Sequence, residues 1–351
     1  MFIVDSHLDI AYNAIDKNRN PLEGLDQIRN NEDSNETPTV SFQSIIDGGI
    51  DIVFATIFYQ PEKNINIFSD RAINIAFEKG VKQIDYYLGL IRYRRLIHHD
   101  HEIVLIDNKT QLEKLLDNNS RSHAKKLGLV LMMEGADPIK NPDDLPFWFE
   151  KGLRIIGPAW SDTRYVGGAW KNQTGFTNLG YQLLKNMHKS GIILDISHMS
   201  EQGINHVLNN YEGAVIASHS NCQKIIDSPR HLKDNHIKKL SDKNGVIGIV
   251  LYNNFLIPDL KNNSPKESVT LQDVFKHIDH VCQILGNSKH VGIGSDLDGG
   301  FGREKIPAEI DSIEDLPKIA LELQKHGYKN DDIENIMGLN WIRILKENLP
   351  D

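Results

Sequence analysis

The feature of this sequence that most limits its fold is a repeated unit, in which a short apolar run precedes a longer stretch with helical spacing. The apolar runs are rich in Val, Ile and Leu, and most lack the polar alternation of strands with one solvated face. Strands that alternate with helices predict parallel βαβ units. About eight such units, with no Pro/Gly/Ser linker long enough to divide them, predict a closed (β/α)8 TIM barrel. We expect one domain over residues 1–351.

The predicted barrel strands are residues 1–9, 49–58, 128–135, 153–158, 191–196, 214–217, 246–251 and 291–294. Apolar spacing of three and four predicts a long helix at 69–97, and two further helices are predicted at 313–326 and 331–349. A short extra strand is predicted at 102–106, and the polar segment 18–38 is predicted to be a mobile surface loop. The alternative architecture is an open doubly wound sheet, but the glycine-rich phosphate turn that often marks such a sheet is missing.

Charge and composition limit the partners of the chain. Its formal net charge of −9 argues against a nucleic-acid-binding surface and gives no attraction to anionic lipids. No run approaches the ~18–20 apolar residues of a membrane span, and the N-terminus lacks the pattern of a signal peptide. The two cysteines, Cys222 and Cys282, have neither the number nor the spacing of a disulfide framework or a thiolate zinc site. We therefore expect a cytoplasmic protein that binds neither nucleic acid nor membrane.

Residues that can bind metals lie at the carboxyl ends of five of the predicted strands, either within the strand or just after it. One such residue could be a helix cap or a packed core histidine, but a ring of buried carboxylates is costly without a cation to neutralise it. The carboxyl ends of the strands surround the active site in a barrel of this kind, so these side chains are expected to meet there. The residues are His7 and Asp9, Glu134, His198, His219 and Asp296.

This arrangement predicts two metal ions. His198 and His219 come from neighbouring strands and can share one ion, while His7 and Asp9 can hold a second, and Glu134 can bridge the two. Two metals ~3.5–4 Å apart can share a hydroxide that attacks a carbonyl at neutral pH. Asp296 is then free to accept and donate protons.

These strand ends together resemble the membrane dipeptidase (renal dipeptidase) family of zinc peptidases. The similar stretches come in the family's order and span nearly the whole chain. They are Val4-Asp5-Ser6-His7-Leu8-Asp9, Met133-Glu134-Gly135, Leu194-Asp195-Ile196-Ser197-His198, Ala217-Ser218-His219-Ser220, Gly292-Ile293-Gly294-Ser295-Asp296-Leu297-Asp298-Gly299 and Gly338-Leu339-Asn340-Trp341.

The resemblance implies a zinc dipeptidase with an amidohydrolase-like barrel, two Zn²⁺ per chain and a small dipeptide-like substrate. It implies that Glu134 and a hydroxide bridge the two zinc ions. It also implies that Arg230 binds the substrate carboxylate, a task that suits the bidentate fork of a guanidinium, and that Tyr252 lies near the substrate. Members of the family commonly form homodimers, although no interface is evident in this sequence.

One position departs from the family. The better-known dipeptidases carry a histidine after the fourth strand that helps to polarise the scissile carbonyl, and Trp160 takes its place here. Indole can donate one hydrogen bond but carries no charge, and Arg164 is a candidate for the missing positive group. Two alternatives therefore stay open. One is a dinuclear amidohydrolase that acts on another amide or on a lactone. The other is a barrel that has lost dipeptidase activity. Related barrel hydrolases often open with His-x-His, so the sequence His7-x-Asp9 favours the dipeptidase.

Overall fold

The parallel strands form a nine-stranded sheet in the computed structural model, which describes residues 1–92, 102–121, 126–261 and 264–351. The strands are β1 (Val4–Leu8), β2 (Ile52–Phe58), β3 (Ile103–Leu105), β4 (Leu127–Glu134), β5 (Leu153–Gly157), β6 (Ile193–Asp195), β7 (Val215–Ile216), β8 (Ile247–Ile249) and β9 (Val291–Ile293). All of these strands except β3 are buried along their whole length, and most of them carry apolar residues on both faces.

Eight of these strands form the barrel. The order along the sheet is β7-β6-β5-β4-β2-β1-β9-β8, and a parallel bridge between Ala217 and Ile247 joins its two ends. β3 lies outside this ring and pairs with the first residues of β4. The predicted (β/α)8 barrel and its extra strand are therefore confirmed.

Helices alternate with the strands along the chain. Most have one buried apolar face, which packs on the hydrophobic core. They are α1 (Ile10–Asp16), α2 (Leu25–Asn30), α3 (Phe42–Asp47), α4 (Asp70–Arg92), α5 (Lys109–Arg121), α6 (Leu145–Glu150), α7 (Asn178–Ser190), α8 (Glu201–Asn210), α9 (Asp234–Asp242), α10 (Leu271–Leu285), α11 (Lys318–Lys325), α12 (Asn330–Glu334) and α13 (Asn340–Asn348). None of those in the described parts of the chain combines the length and apolar character needed to cross a membrane.

The first residues of the barrel strands pack on α13. The indole of Trp341 is fully buried, lies 5.4 Å from the ring of Phe54 and donates a hydrogen bond to the carbonyl of Ile293 at 3.1 Å. Any residue larger than glycine at Gly292 would clash, since an added Cβ would lie 2.3 Å from the indole nitrogen of Trp341. This end of the barrel is closed by packing, which leaves the carboxyl ends of the strands for polar side chains.

Several predicted boundaries differ from the structure. The long helix is Asp70–Arg92, and the last residues predicted for it, 93–97, lie outside the described residues. The helix predicted at 331–349 contains a π-helical turn at Asn335–Leu339. The segment 18–38 is not simply a surface loop, because it contains α2 and the buried Arg19. Arg19 forms ion pairs with Glu32 at 2.5 Å and with Glu36 at 3.1 Å. These glutamates are 13 and 17 residues away along the chain, so the spacing of residues within one helix or strand does not predict the contacts.

Candidate metal centre

Five barrel strands bring the predicted metal-binding residues together at their carboxyl ends. His7 lies in β1 and Asp9 directly follows this strand, while Glu134 is the last residue of β4. His198, His219 and Asp296 each lie three residues beyond the end of a strand. The structure therefore brings these side chains together at one end of the barrel, as the sequence predicts.

Two of these residues have a left-handed backbone. The φ angle is 64° at His198 and 59° at Asp296. Residues other than glycine rarely adopt such angles, and strained residues of this kind cluster at functional sites. Gly299 makes room for Asp296, because an added Cβ there would lie 1.9 Å from Oδ1 of Asp296.

Glu134 lies between two groups of ligand atoms. Its Oε1 is 2.9 Å from Nε2 of His198 and 3.1 Å from Nε2 of His219, and these two ring nitrogens are 2.8 Å apart. Its Oε2 is 3.7 Å from Nε2 of His7. Each oxygen of the carboxylate therefore belongs to a different group, as in a bridging ligand.

The second group surrounds the ring of His7. Its Nε2 lies 3.8 Å from Oδ2 of Asp9 and 3.9 Å from Oδ1 of Asp296. Both ring nitrogens of His7, and Oδ1 of Asp9, are buried without a hydrogen-bond partner among the described residues. Buried polar atoms of this kind are costly unless they bind a ligand.

The protonation of the cluster also fits a cation. Burial lowers the pKa of His198 and His219 well below the usual range, which keeps both rings neutral and able to bind a metal. Burial also lowers the pKa of His7, but the charges of Glu134 and Asp9 outweigh it and raise the pKa to about 10. The carboxylates therefore attract a positive charge to this point, and a divalent ion can supply it in place of the proton.

The donor atoms suit zinc. Imidazole nitrogens and carboxylate oxygens are common Zn²⁺ ligands, and donors on one tetrahedral ion lie about 3.3 Å apart. The distances of 2.8–3.1 Å among Glu134, His198 and His219 are close to this value. The residues present therefore fit a metal ion of this class.

Two buried aspartates beside the ligands have no role in the sequence prediction. Asp5 precedes His7 by two residues and Asp195 precedes His198 by three, and both carboxylates accept hydrogen bonds from the next strand ends. The sequence indicates that each aspartate lies within an apolar strand, and this is the signal that could have identified them. It does not indicate their partners, Ser295 and Ser218, because these come from neighbouring strands.

A cavity of about 400 Å³ opens over the cluster. Asp9, Glu134, His198 and Asp296 form part of its wall, and aromatic rings form much of the rest. Trp160 packs edge-on against Phe58 at 5.0 Å, and Tyr252 stacks on Phe301 at 4.6 Å. Both of these predicted substrate-binding residues, Trp160 and Tyr252, thus line the cavity together with Tyr12, Lys17, Glu36, Gln60, Phe255, Gly299 and Gly300.

The two arginines considered from the sequence occupy different places. Arg230 is buried beside the cluster, where it donates to the carbonyl of His219 at 2.7 Å and to Oγ of Ser220 at 2.9 Å. Its Nε has no hydrogen-bond partner among the described residues, and no carboxylate of these residues lies within 4.0 Å of its guanidinium. Arg164 instead donates to the carbonyls of Asp137, Ile139 and Lys140, so the expectation that it supplies the missing positive group is wrong.

The chain is similar to known proteins over most of its length. Residues 1–349 match the family model described as membrane dipeptidase, peptidase family M19. The dipeptidase tcpJ of Claviceps purpurea is 26% identical over 88% of this chain and 69% of its own length. The dipeptidase verJ of Clonostachys rogersoniana is 33% identical over 63% of this chain and 55% of its own length.

A solved structure has the same fold. It is a metallopeptidase from Rhodobacter sphaeroides, liganded with a phosphinate mimic of the dipeptide L-Ala-D-Ala. Its TM-score to this chain is 0.79 at 22% identity, over 99% of each chain.

Proposed function

The chain belongs to the membrane dipeptidase family of metallopeptidases, and from this premise we propose that it hydrolyses dipeptides with two zinc ions bridged by Glu134. Support for the reaction comes from the dipeptidases among its relatives and from the dipeptide mimic bound to the Rhodobacter sphaeroides enzyme. The two-ion stoichiometry and the residue roles are our inferences from the cluster.

The observation that carries the proposal is that the two carboxylate oxygens of Glu134 face different groups of ligand atoms. One of its oxygens lies within 3.1 Å of two ring nitrogens, and the other faces His7 at 3.7 Å. The two groups adjoin, because the ring centroids of His7 and His219 are 3.8 Å apart, and Glu134 lies where it can contact both. We assign His198 and His219 to one ion and His7 and Asp9 to the other.

When bound, two zinc ions supply a water of lowered pKa and polarise the carbonyl of the substrate. The protein contributes the proton transfer and the positioning. Asp296 lies on the cavity wall beside the cluster and can accept a proton from the attacking water and pass it to the leaving amine. The carboxylate of Asp296 lies 3.9 Å from Nε2 of His7, and the backbone of this residue is left-handed, with a φ angle of 59°.

Arg230 suits the carboxylate of the substrate. Its guanidinium is anchored to the His219 loop by two hydrogen bonds, while its Nε still lacks a partner among the described residues. The carboxylates of Asp296, Glu134 and Asp195 act on this guanidinium only from beyond ion-pair distance. It can therefore still pair with an anionic ligand, and guanidinium binds carboxylates in a defined geometry.

Metal analysis and an activity panel test the proposal together. We expect about two zinc ions per chain and cleavage of dipeptides, with activity lost after treatment with a chelator and restored by Zn²⁺. The panel should include acylated amino acids and lactones, which represent the alternative substrates. A protein that binds no zinc, or that cleaves no dipeptide when loaded with zinc, would contradict the proposal.

We further propose that the protein is cytoplasmic and assembles as a homodimer. The acidic charge and the common assembly of the family support these two points. Fractionation of cells and sedimentation of the purified protein test them. A membrane-bound or monomeric protein would contradict them without affecting the metal centre.

A further inference from the structure

The ring of His219 is held by a hydrogen-bonded chain that leads away from the cavity. Its Nδ1 lies 2.8 Å from Oγ of Ser218, and that hydroxyl lies 2.5 Å from Oδ2 of Asp195. Asp195 and Ser218 are buried, so water does not compete for these bonds. Three residues therefore form a relay that ends on a proposed metal ligand.

The relay selects one tautomer of His219. The hydroxyl of Ser218 has a single proton, and the carboxylate of Asp195, which can only accept when ionised, takes it. Nδ1 of His219 must then donate its proton to Oγ of Ser218. Nε2 is left with a free electron pair, which points at Oε1 of Glu134 and Nε2 of His198. This is the tautomer that binds a metal through Nε2.

Asp195 is itself fixed by the backbone. Its Oδ1 accepts from the amide of Ser197 at 3.0 Å and from the amide of Ser218 at 2.8 Å. The carbonyl of Ser218 in turn accepts from the hydroxyl of Ser6 at 2.5 Å. This close approach depends on Gly294, because an added Cβ there would lie 1.9 Å from that carbonyl oxygen. The relay is thus rigid at each of its links.

A second aspartate–serine pair repeats this pattern without a ring. Oδ1 of Asp5 accepts from the amides of His7 at 3.3 Å and Ser295 at 2.9 Å, and Oδ2 accepts from the hydroxyl of Ser295. Ser295 precedes Asp296 as Ser218 precedes His219. Both pairs join adjacent strand ends, but only the Asp195–Ser218 pair contacts an imidazole. The Asp5–Ser295 pair is therefore a control, because its loss removes a contact between strand ends without removing a hydrogen bond to a histidine ring.

We propose that Asp195 is a positioning residue that acts through Ser218 to hold His219 in its metal-binding tautomer, and thereby sets the zinc affinity of the His198–His219 half of the site. The inference rests on the proposed function, because it requires that zinc binds this cluster. It adds two residues that do not touch the metal or the substrate. Partners of this kind typically change metal affinity by about 10–100-fold when they are removed.

The test compares Ser218→Ala with Ser295→Ala. Each variant removes one buried hydroxyl that donates to an aspartate, so the structural cost is matched. Zinc-depleted protein is titrated with Zn²⁺ against a chromophoric chelator, which yields the two stepwise dissociation constants. We expect Ser218→Ala to weaken the tighter step, which we assign to the His198–His219 half, about 10–100-fold and to leave the other step unchanged. Ser295→Ala should leave the tighter of the two constants unchanged.

A separate signature does not depend on affinity. In metal-free protein labelled with ¹⁵N-histidine, the Nδ1 of His219 should carry the proton in the wild type and in Ser295→Ala. In Ser218→Ala, His219 should become a mixture of tautomers. Asp195→Asn provides a second variant for the same relay if Ser218→Ala does not fold.

The outcomes separate the relay from the proposed function. If the wild type binds two zinc ions and Ser218→Ala leaves both constants unchanged, the relay is wrong and the dinuclear site stands. If Ser218→Ala and Ser295→Ala weaken the same step equally, the contact acts only by joining strands, and the relay is again wrong. If the wild type binds no zinc, both the relay and the proposed function fail.

Discussion

The two halves of the metal centre are built differently. In the His198–His219 half, the two ring nitrogens and Oε1 of Glu134 already lie within 3.1 Å of one another. In the His7–Asp9 half, the corresponding distances from Nε2 of His7 are 3.7–3.9 Å, and both ring nitrogens lack a partner among the described residues. One half is a compact site rich in imidazole, and the other is a wider site rich in carboxylates.

This difference indicates a division of labour. Imidazole nitrogens held close together favour zinc and cost little reorganisation on binding. A wider group of carboxylates binds with less selectivity and leaves room for a substrate oxygen. Both halves reach the cavity, one through Asp9 and Asp296 and the other through His198. Because the ligand atoms of the compact half already lie closer together, we infer that this half retains its ion while the wider half takes part in turnover.

The largest effect is expected from Glu134→Gln, which removes the bridge between the halves. The amide offers one oxygen instead of two, so zinc content should fall from about two ions to about one, retained by the compact half. Loss of several kcal/mol of transition-state stabilisation corresponds to a fall in kcat/KM of about 10³-fold or more. Metal analysis and dipeptide kinetics check both numbers. A variant that keeps two ions would show that Glu134 does not bridge.

Asp296→Asn separates proton transfer from metal binding. Its amide keeps the shape of the side chain but cannot accept the proton, so kcat should fall about 10²–10⁴-fold. Zinc content should stay at about two, because Asp296 is not assigned to either ion. Kinetics and metal analysis on the same sample check this. If activity survives, another group must transfer the proton.

Removal of metal should show directly that the two halves differ in zinc affinity. As chelator is raised, we expect one zinc to leave at a concentration about tenfold lower than the other, because the wider half is less preorganised. Replacement of the lost ion by cobalt, followed by absorption spectroscopy, would identify its ligands. His198→Ala and Asp9→Ala serve as a matched pair, and the two variants should lose different ions. Simultaneous loss of both ions would contradict the comparison.

The smallest effect is expected at Trp160, on the wall of the cavity. Trp160→His introduces a group that can carry a positive charge on this wall, and kcat on dipeptides should rise by about tenfold. This is less than the roughly 10²–10³-fold effect of a preorganised oxyanion donor, because the new ring has no partner that fixes its position. Trp160→Phe, which keeps the contact with Phe58, is the control and should not increase kcat. A fall in kcat for the histidine variant would indicate that the indole itself binds the substrate.

Much of the site was predictable because its residues are local to the strands that carry them. When a polar residue ends or follows an apolar run, the run predicts a strand and therefore places the residue at the carboxyl end of the barrel. Glu134 and His219 are examples. The same reasoning located the eight strands, although β7 has only two residues, because the repeat of strand and helix is regular.

The remaining features depend on contacts between distant segments. Arg164 was misjudged because its guanidinium is bound by carbonyls 24–27 residues away, which no local pattern indicates. The role of Asp195 was missed because its serine partner belongs to the next strand. The buried Arg19 lies in a segment whose polar composition is typical of a loop. Such contacts are set by tertiary packing, not by spacing.

The most direct test of the dinuclear centre is a crystal structure of the zinc-loaded protein with anomalous diffraction measured at the zinc absorption edge. We predict two peaks about 3.5–4 Å apart, one beside His198 and His219 and the other beside His7 and Asp9, with Glu134 between them. A single peak, or two peaks that Glu134 does not contact, would contradict the account.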